Sequence, residues 1–457
     1  MIPVFILNAT SYTSLAPNNR HGTPARIEQD FTLPVMRVPR IGKWLPEDHL
    51  VLKAWLDGLI KRVDSMDPKE KSLHPVLEEF KALIEGDAQI YMLFHQMFKQ
   101  VPHKPPYDKD PTGAPQVRHY HHMLELFNVI ITSAPEFNET GLVGFPINAI
   151  LDWPMGTHGG FAAFLNDKVN AQFRKMLAAW TRFLNSPAST YVLTPDPNGG
   201  WFSEAAATEM PDFVENFICY PDQPYRGFKS WDDFFTREFR PGKRSVAYPD
   251  DDRFIVNACE SAPYRIASKV KARDRFWIKG QPYSLEHMLA GDPLAPQFVG
   301  GTVYQAFLSA LSYHRWHSPV NGTVVKAYVQ PGTYYSETPA VGFDDAAPND
   351  SQGYIAEVAT RAIIFIEADN PHIGLMCVMP IGMAEVSTCD ITVFEGQKVK
   401  KGDQLGMFHF GGSTHCLIFQ PWVELLWEMH GQTPGLDASN IHVNDYIAFA
   451  TPRLREA

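Results

Sequence analysis

Cysteine is scarce in this chain of 457 residues: there are five, Cys219, Cys259, Cys377, Cys389 and Cys416. The count is odd and no two are spaced Cys-x-x-Cys, which argues against a disulfide scaffold and fits a reducing, cytoplasmic compartment. Long apolar runs are missing too, since no stretch of roughly 20 apolar residues exists to span a bilayer. The longest uncharged apolar stretch, Ile373 to Ala384, contains Gly374, Pro380 and Gly382 and reads as buried strand. The opening MIPVFILNATSYTSL lacks a basic n-region and a long enough apolar run for a secretory signal. Basic charge is in deficit, 40 Lys and Arg against 51 Asp and Glu, for a net charge of −11. Such a balance disfavours polyanion binding, so neither a nucleic-acid partner nor a stable membrane anchor is expected. No solenoid-type repeat and no low-complexity tract is present. What remains is a chain 45% apolar and 20% charged, which supplies a sizeable core and excludes wholesale disorder.

The first half reads as helix. Apolar residues recur at three and four positions in HLVLKAWLDGLIKRVD (49–64), and Leu73 to Val101 reads as two helices broken near Gly86. A Pro-rich connector separates these from VRHYHHMLELFNVII, and a fourth helical stretch covers about residues 160–184. SWDDFFTREFRPGKR (230–244) predicts a short helix ended by Pro-Gly, and the domain boundary is placed there. Beyond residue 250, short β-branched and aromatic runs alternate with Gly and Pro turns: 323–335, 361–369, 373–394, 406–410 and 414–419. The expected class is α+β, with a helical N-terminal domain (1–229) followed by a β-rich catalytic domain (230–457).

Three segments bear on chemistry. FHFGGSTHC contains Gly411-Gly412-Ser413, an ordinary turn when read alone; it is not a G-x-S-x-G elbow, because His415 replaces the second Gly. YHRWHSPVNGT places His314 and His317 three apart, without a third ligand at zinc spacing. ACES puts Glu260 at the end of an apolar run. His119, His121 and His122 are expected to be solvated or packed, with no metal, and the acidic segment 343–352 to be a surface loop.

Taken in order, ACES, FWIKGQPYSLEHMLAGD (276–292), YHRWHSPVNGT and KKGDQLGMFHFGGST (400–414) resemble the phosphatidylserine decarboxylase family. WDDFFTREFRPGKR resembles that family's leading segment, so the likeness covers about residues 230–457. The helical half resembles the extension of a fungal branch, whose wording at YHRWHSPVNGT and GMFHFGGST is similar to the tryptophan decarboxylases of psilocybin biosynthesis.

The resemblance implies a two-stage chemistry. His317 takes the proton of Ser413, with Glu260 orienting the imidazole, because a serine hydroxyl is a weak nucleophile without a base. Ser413 attacks the carbonyl of Gly412, and β-elimination cuts the chain between Gly412 and Ser413. Ser413 is left as a covalent pyruvoyl cofactor, and the two fragments remain associated. That ketone then serves as electron sink for decarboxylation of a small-molecule amino-acid substrate, L-tryptophan going to tryptamine and CO2. His314 is assigned to proton delivery at the α-carbon or to substrate placement. Phospholipid-acting members usually carry Asp where this chain has Glu260, one methylene longer. The alternative within enzymes is a phosphatidylserine decarboxylase making phosphatidylethanolamine. Outside the family, a serine hydrolase using Ser413, or a biotinyl-type carrier, would remain one chain.

Overall fold

The computed structural model describes residues 49–67, 72–101, 117, 119–138, 146–275, 282–308, 311–339, 351–385, 388–410 and 413–452. All of these belong to one compact unit, Pro39–Ala457. Gly412 and residues 343–350 of the acidic segment lie outside the described residues.

Seven helices build the first half: α1 His49–Ser65, α2 Pro75–Gly86, α3 Ala88–Lys99, α4 Tyr120–Ile130, α5 Pro146–Met155, α6 His158–Phe164 and α7 Asp167–Leu184. Their ends are set by side chains that accept otherwise orphaned backbone N–H groups. Asp87 takes the amides of Gln89 and Ile90, which divides α2 from α3 at the expected break. Asn166 takes those of Lys168 and Val169, so the fourth helical stretch is two helices, α6 and α7. His119 accepts from the His122 amide at 3.1 Å and caps α4, a local structural use for the histidine cluster. Among the described residues no group of His, Cys, Asp and Glu is placed to hold a metal ion. Nor is any described helix long and apolar enough to cross a membrane.

Three short helices follow, α8 Glu204–Glu209, α9 Phe213–Asn216 and α10 Trp231–Phe235. The chain then turns to strands β1 Phe254–Val256, β2 Ala262–Ala267, β3 Thr302–Leu308, β4 Arg315–His317, β5 Gly322–Gln330, β6 Arg361–Ala368 and β7 Leu375–Gly382. The remaining strands are β8 Thr388–Ile391, β9 Lys398–Val399, β10 Gln404–His409, β11 Ser413–Phe419, β12 Glu424–Trp427 and β13 Tyr446–Thr451. Helix α11 (Leu285–Met288) lies between β2 and β3, and α12 (Gln352–Val358) between β5 and β6. Seven strands form one antiparallel sheet in the order β2-β3-β11-β7-β6-β5-β9, and two three-stranded sheets have the orders β1-β13-β12 and β4-β10-β8.

The uncharged stretch around residues 373–384 becomes β7, buried at every position and paired on both sides, which is why it reads as unbroken apolar sequence. The sheet packs on two sides. One core cluster joins helical residues such as Phe80, Phe173 and Trp180 to Cys377, Phe410 and Ile418; a second gathers Trp316, Val378, Phe408 and Leu417. The helical and β-rich halves therefore share a core.

Candidate active site

Ser413 is the first residue of β11, opposite Leu308 of β3 and Gly382 of β7. It is fully buried, and its Oγ has no hydrogen-bond partner among the described residues. A buried hydroxyl normally finds one, so an orphan marks a place where something other than stability is served. Next along the strand, Thr414 is saturated: Oγ1 donates to the Ala306 carbonyl at 2.9 Å and accepts from Gln305 Nε2 at 3.1 Å.

The two motif histidines lie beside β10, which leads to Phe410, and neither ring is hydrogen-bonded to Ser413 Oγ. Strand β4 pairs with β10, setting His317 opposite Gln404, while His314 accepts from the Phe408 amide at 3.0 Å. The ring of His314 is buried and stacks on Phe235 of α10 at 4.2 Å between centroids. Phe235 also meets Phe410 at 5.9 Å, and Phe410 packs edge-on against Trp180 of α7 (4.5 Å) and Trp231 (4.8 Å). Helix α7 of the first half and the short helix α10 thus grip the residue three places before Ser413. His409 adds a polar grip, its Nδ1 lying 2.9 Å from Asp232 of α10. Burial opposes charge on His409, but Asp232 and Asp390 outweigh it and raise the imidazole's pKa.

His317 is engaged at both nitrogens. Nδ1 lies 2.7 Å from the Gly402 carbonyl, which only accepts, so Nδ1 carries the proton. Nε2 is left as the acceptor and takes the Tyr313 hydroxyl at 2.8 Å. Burial lowers the pKa of His317, which favours the neutral form a base requires. Burial also raises that of Tyr313, keeping the hydroxyl protonated.

Glu260 departs from its expected place. Arg244 Nε donates to both of its carboxylate oxygens at 3.1 Å, Arg244 Nη2 reaches Oε1 at 2.6 Å, and the Val443 amide donates to Oε2 at 2.8 Å. No hydrogen bond joins it to His317. The orienting contact expected of Glu260 is supplied by the Gly402 carbonyl, because a forked guanidinium outcompetes a neutral imidazole N–H for a carboxylate. The ACES turn is still tied to the histidine strand: the His317 amide donates to the Ala258 carbonyl at 2.8 Å. Sequence reading missed Tyr313, Arg244 and Gly402. All three lie inside quoted motifs, but a backbone carbonyl leaves no signature in residue identity.

Residues 74–210 and 231–433 each match a sequence profile described as phosphatidylserine decarboxylase. The L-tryptophan decarboxylase of Psilocybe cubensis is 38% identical over 398 residues, covering 82% of this chain and 87% of the relative. Decarboxylase iboD of Amanita muscaria is 46% identical over 296 residues, covering 61% and 84%. The phosphatidylserine decarboxylase proenzyme 3 of Schizosaccharomyces pombe is 32% identical over 222 residues, 48% of this chain and 22% of that one. Similarity of this extent makes the protein a decarboxylase with an α+β fold. The chain belongs to the phosphatidylserine decarboxylase family.

Proposed function

We propose that this decarboxylase is pyruvoyl-dependent, makes that group from its own Ser413, and converts an aromatic L-amino acid, L-tryptophan, to tryptamine and CO2. The observation that carries the reading is the buried, partnerless Oγ of Ser413 at the head of a central strand, directly after Gly412. The substrate is proposed from relatives named L-tryptophan decarboxylase that align over most of both chains.

Self-cleavage asks for a neutral base, and His317 is built as one, with Nδ1–H anchored on Gly402 and the Nε2 lone pair turned to a hydroxyl. Its proposed task is to take the Ser413 proton at Nε2, once the Tyr313 hydroxyl has vacated that lone pair, as the serine oxygen attacks the Gly412 carbonyl. The amide becomes an ester, β-elimination releases Gly412 as a carboxylate, and one water enters as ammonia leaves. A pyruvoyl group at residue 413 supplies an electron sink for the pair left when CO2 departs. His314, shielded against Phe235, is assigned to substrate placement or proton delivery at the α-carbon. Glu260 holds the ACES turn beside His317 through Arg244 and Val443 and serves as a positioning residue. The fragments 1–412 and 413–457 stay together on this reading, because β11 is hydrogen-bonded to β3 on one side and β7 on the other.

Intact-mass measurement of the purified protein tests the first stage. Two chains split after Gly412 are expected from the wild type and one inactive chain from Ser413→Ala; CO2 release by that variant overturns the pyruvoyl reading. Comparing CO2 release from free tryptophan and from phosphatidylserine in mixed micelles tests the substrate, and activity on the lipid alone overturns the amino-acid assignment.

A further inference from the structure

A second group of buried polar atoms without partners lies at the same end of the large sheet as Ser413. Strand β7 ends at Gly382, directly opposite Ser413, and three residues later comes Glu385. Its Oε1 accepts the amides of Ile147 (2.7 Å) and Asn148 (2.8 Å) at the start of α5, while Oε2 has no partner among the described residues. Both side-chain atoms of Asn148 and the hydroxyl of Tyr335 are likewise unpartnered, and all three residues are at most 2% exposed. Tyr335 lies close enough to Glu385 for the carboxyl to disfavour ionisation of the phenol, and its ring packs on Phe173 of α7 at 4.8 Å.

A polar chain runs from the reacting strand to Met383, two residues before Glu385. Gln352 Nε2 lies 3.4 Å from the sulfur of Met383, and Gln305 Nε2 joins Gln352 (3.3 Å) to Thr414 (3.1 Å). Several open hydrogen-bonding valences in a buried interior cost stability unless an incoming molecule fills them.

We infer that Asn148, Glu385 and Tyr335 form the subsite for the far end of the substrate side chain and accept a ring N–H, and that the helical half supplies it through α5. This deepens the tryptophan reading and rests on it. An indole offers one N–H donor on an otherwise apolar ring, and Asn148 Oδ1 is the acceptor open to it, with the Tyr335 hydroxyl and the Glu385 carboxyl as polar neighbours. Burial pushes the Glu385 carboxyl up to about 8, so near neutral pH it is mostly uncharged and tolerates an apolar ring beside it.

The test compares L-tryptophan with 3-(benzothiophen-3-yl)-L-alanine, in which sulfur replaces the N–H with little change of shape. The wild type is expected to favour tryptophan at least tenfold in kcat/KM, because a site built to bond a donor rejects the analogue lacking it. In self-cleaved Asn148→Leu the preference is expected to fall several-fold toward parity, chiefly through KM for tryptophan, and Tyr335→Phe tests the neighbouring hydroxyl at nearly constant shape. Equal use of the two substrates by the wild type, or an undiminished preference in both variants, overturns the subsite. If tryptophan is turned over but not preferred, the subsite alone falls; if it is not turned over at all, both readings fall.

Discussion

His317 and Glu260 show how a partner decides what a residue can do. The imidazole is fixed by a carbonyl at Nδ1 and made a poorer proton carrier by burial. A lowered pKa means that the neutral base persists below the ordinary histidine value of about 6.5. Self-cleavage of freshly translated precursor is therefore expected to keep its rate as pH falls through 6.5 and to decline only further down. A rate midpoint at or above 6.5 in time-resolved gels or mass spectra contradicts this. Glu260 is buried and paired with Arg244. Removing the guanidinium in Arg244→Ala strands that carboxylate and is expected to cost about 3 kcal/mol of stability, measured by chemical denaturation. Glu260→Gln with Arg244 intact is expected to be milder, since the Arg fork remains partly solvated.

At the scale of elements, the turn between β9 and β10 sets the base. Gly402 sits at φ +87°, and a Cβ there would meet Val246 Cγ2 at 2.4 Å. The same residue offers its carbonyl to His317 and its amide to Ser318, so strain in the turn is transmitted to the imidazole. Gly402→Ala is expected to slow self-cleavage at least tenfold while the protein still folds, read as accumulation of full-length chain. Unchanged processing in that variant would show that the carbonyl does not orient the base. Helices α7 and α10 act on the N-terminal side of Ser413, where Trp180, Trp231 and Phe235 surround Phe410. Three aromatic neighbours hold the chain where it leaves β10 toward Ser413.

Over the whole molecule, the N-terminal helices are part of the catalytic half's support. Their core continues into the sheet through Cys377, Ile381, Phe410, Cys416 and Ile418. A chain restricted to residues 231–457 would expose that face of the sheet. It is expected to be insoluble or to lack a cooperative thermal transition, whereas the full chain shows one. A soluble, self-cleaving 231–457 fragment would refute the shared core. Cleavage after Gly412, by contrast, is expected to leave the fold standing, because all seven β11 positions pair on both sides.

Much of this was readable in residue order. Helical periodicity and cap residues place α1 to α4 and α7, because hydrophobic spacing and N-capping act within a turn or two of chain. Runs of β-branched and aromatic residues give the central strands, and the motifs around His314, His317 and Ser413 carry the family likeness. Helix α5 was missed: ten residues holding Pro146 and Pro154 present no clean amphipathic stripe. The sequence by itself determined the family motifs around Ser413 and the histidine pair and the class of fold, since these rest on residue identity and local spacing. Only the tertiary structure decided that Glu260 answers to Arg244, that a glycine carbonyl orients His317, and that α5 meets Glu385 across 238 positions of chain. Those contacts join residues far apart in sequence, often through backbone atoms that every residue shares, so only packing selects them.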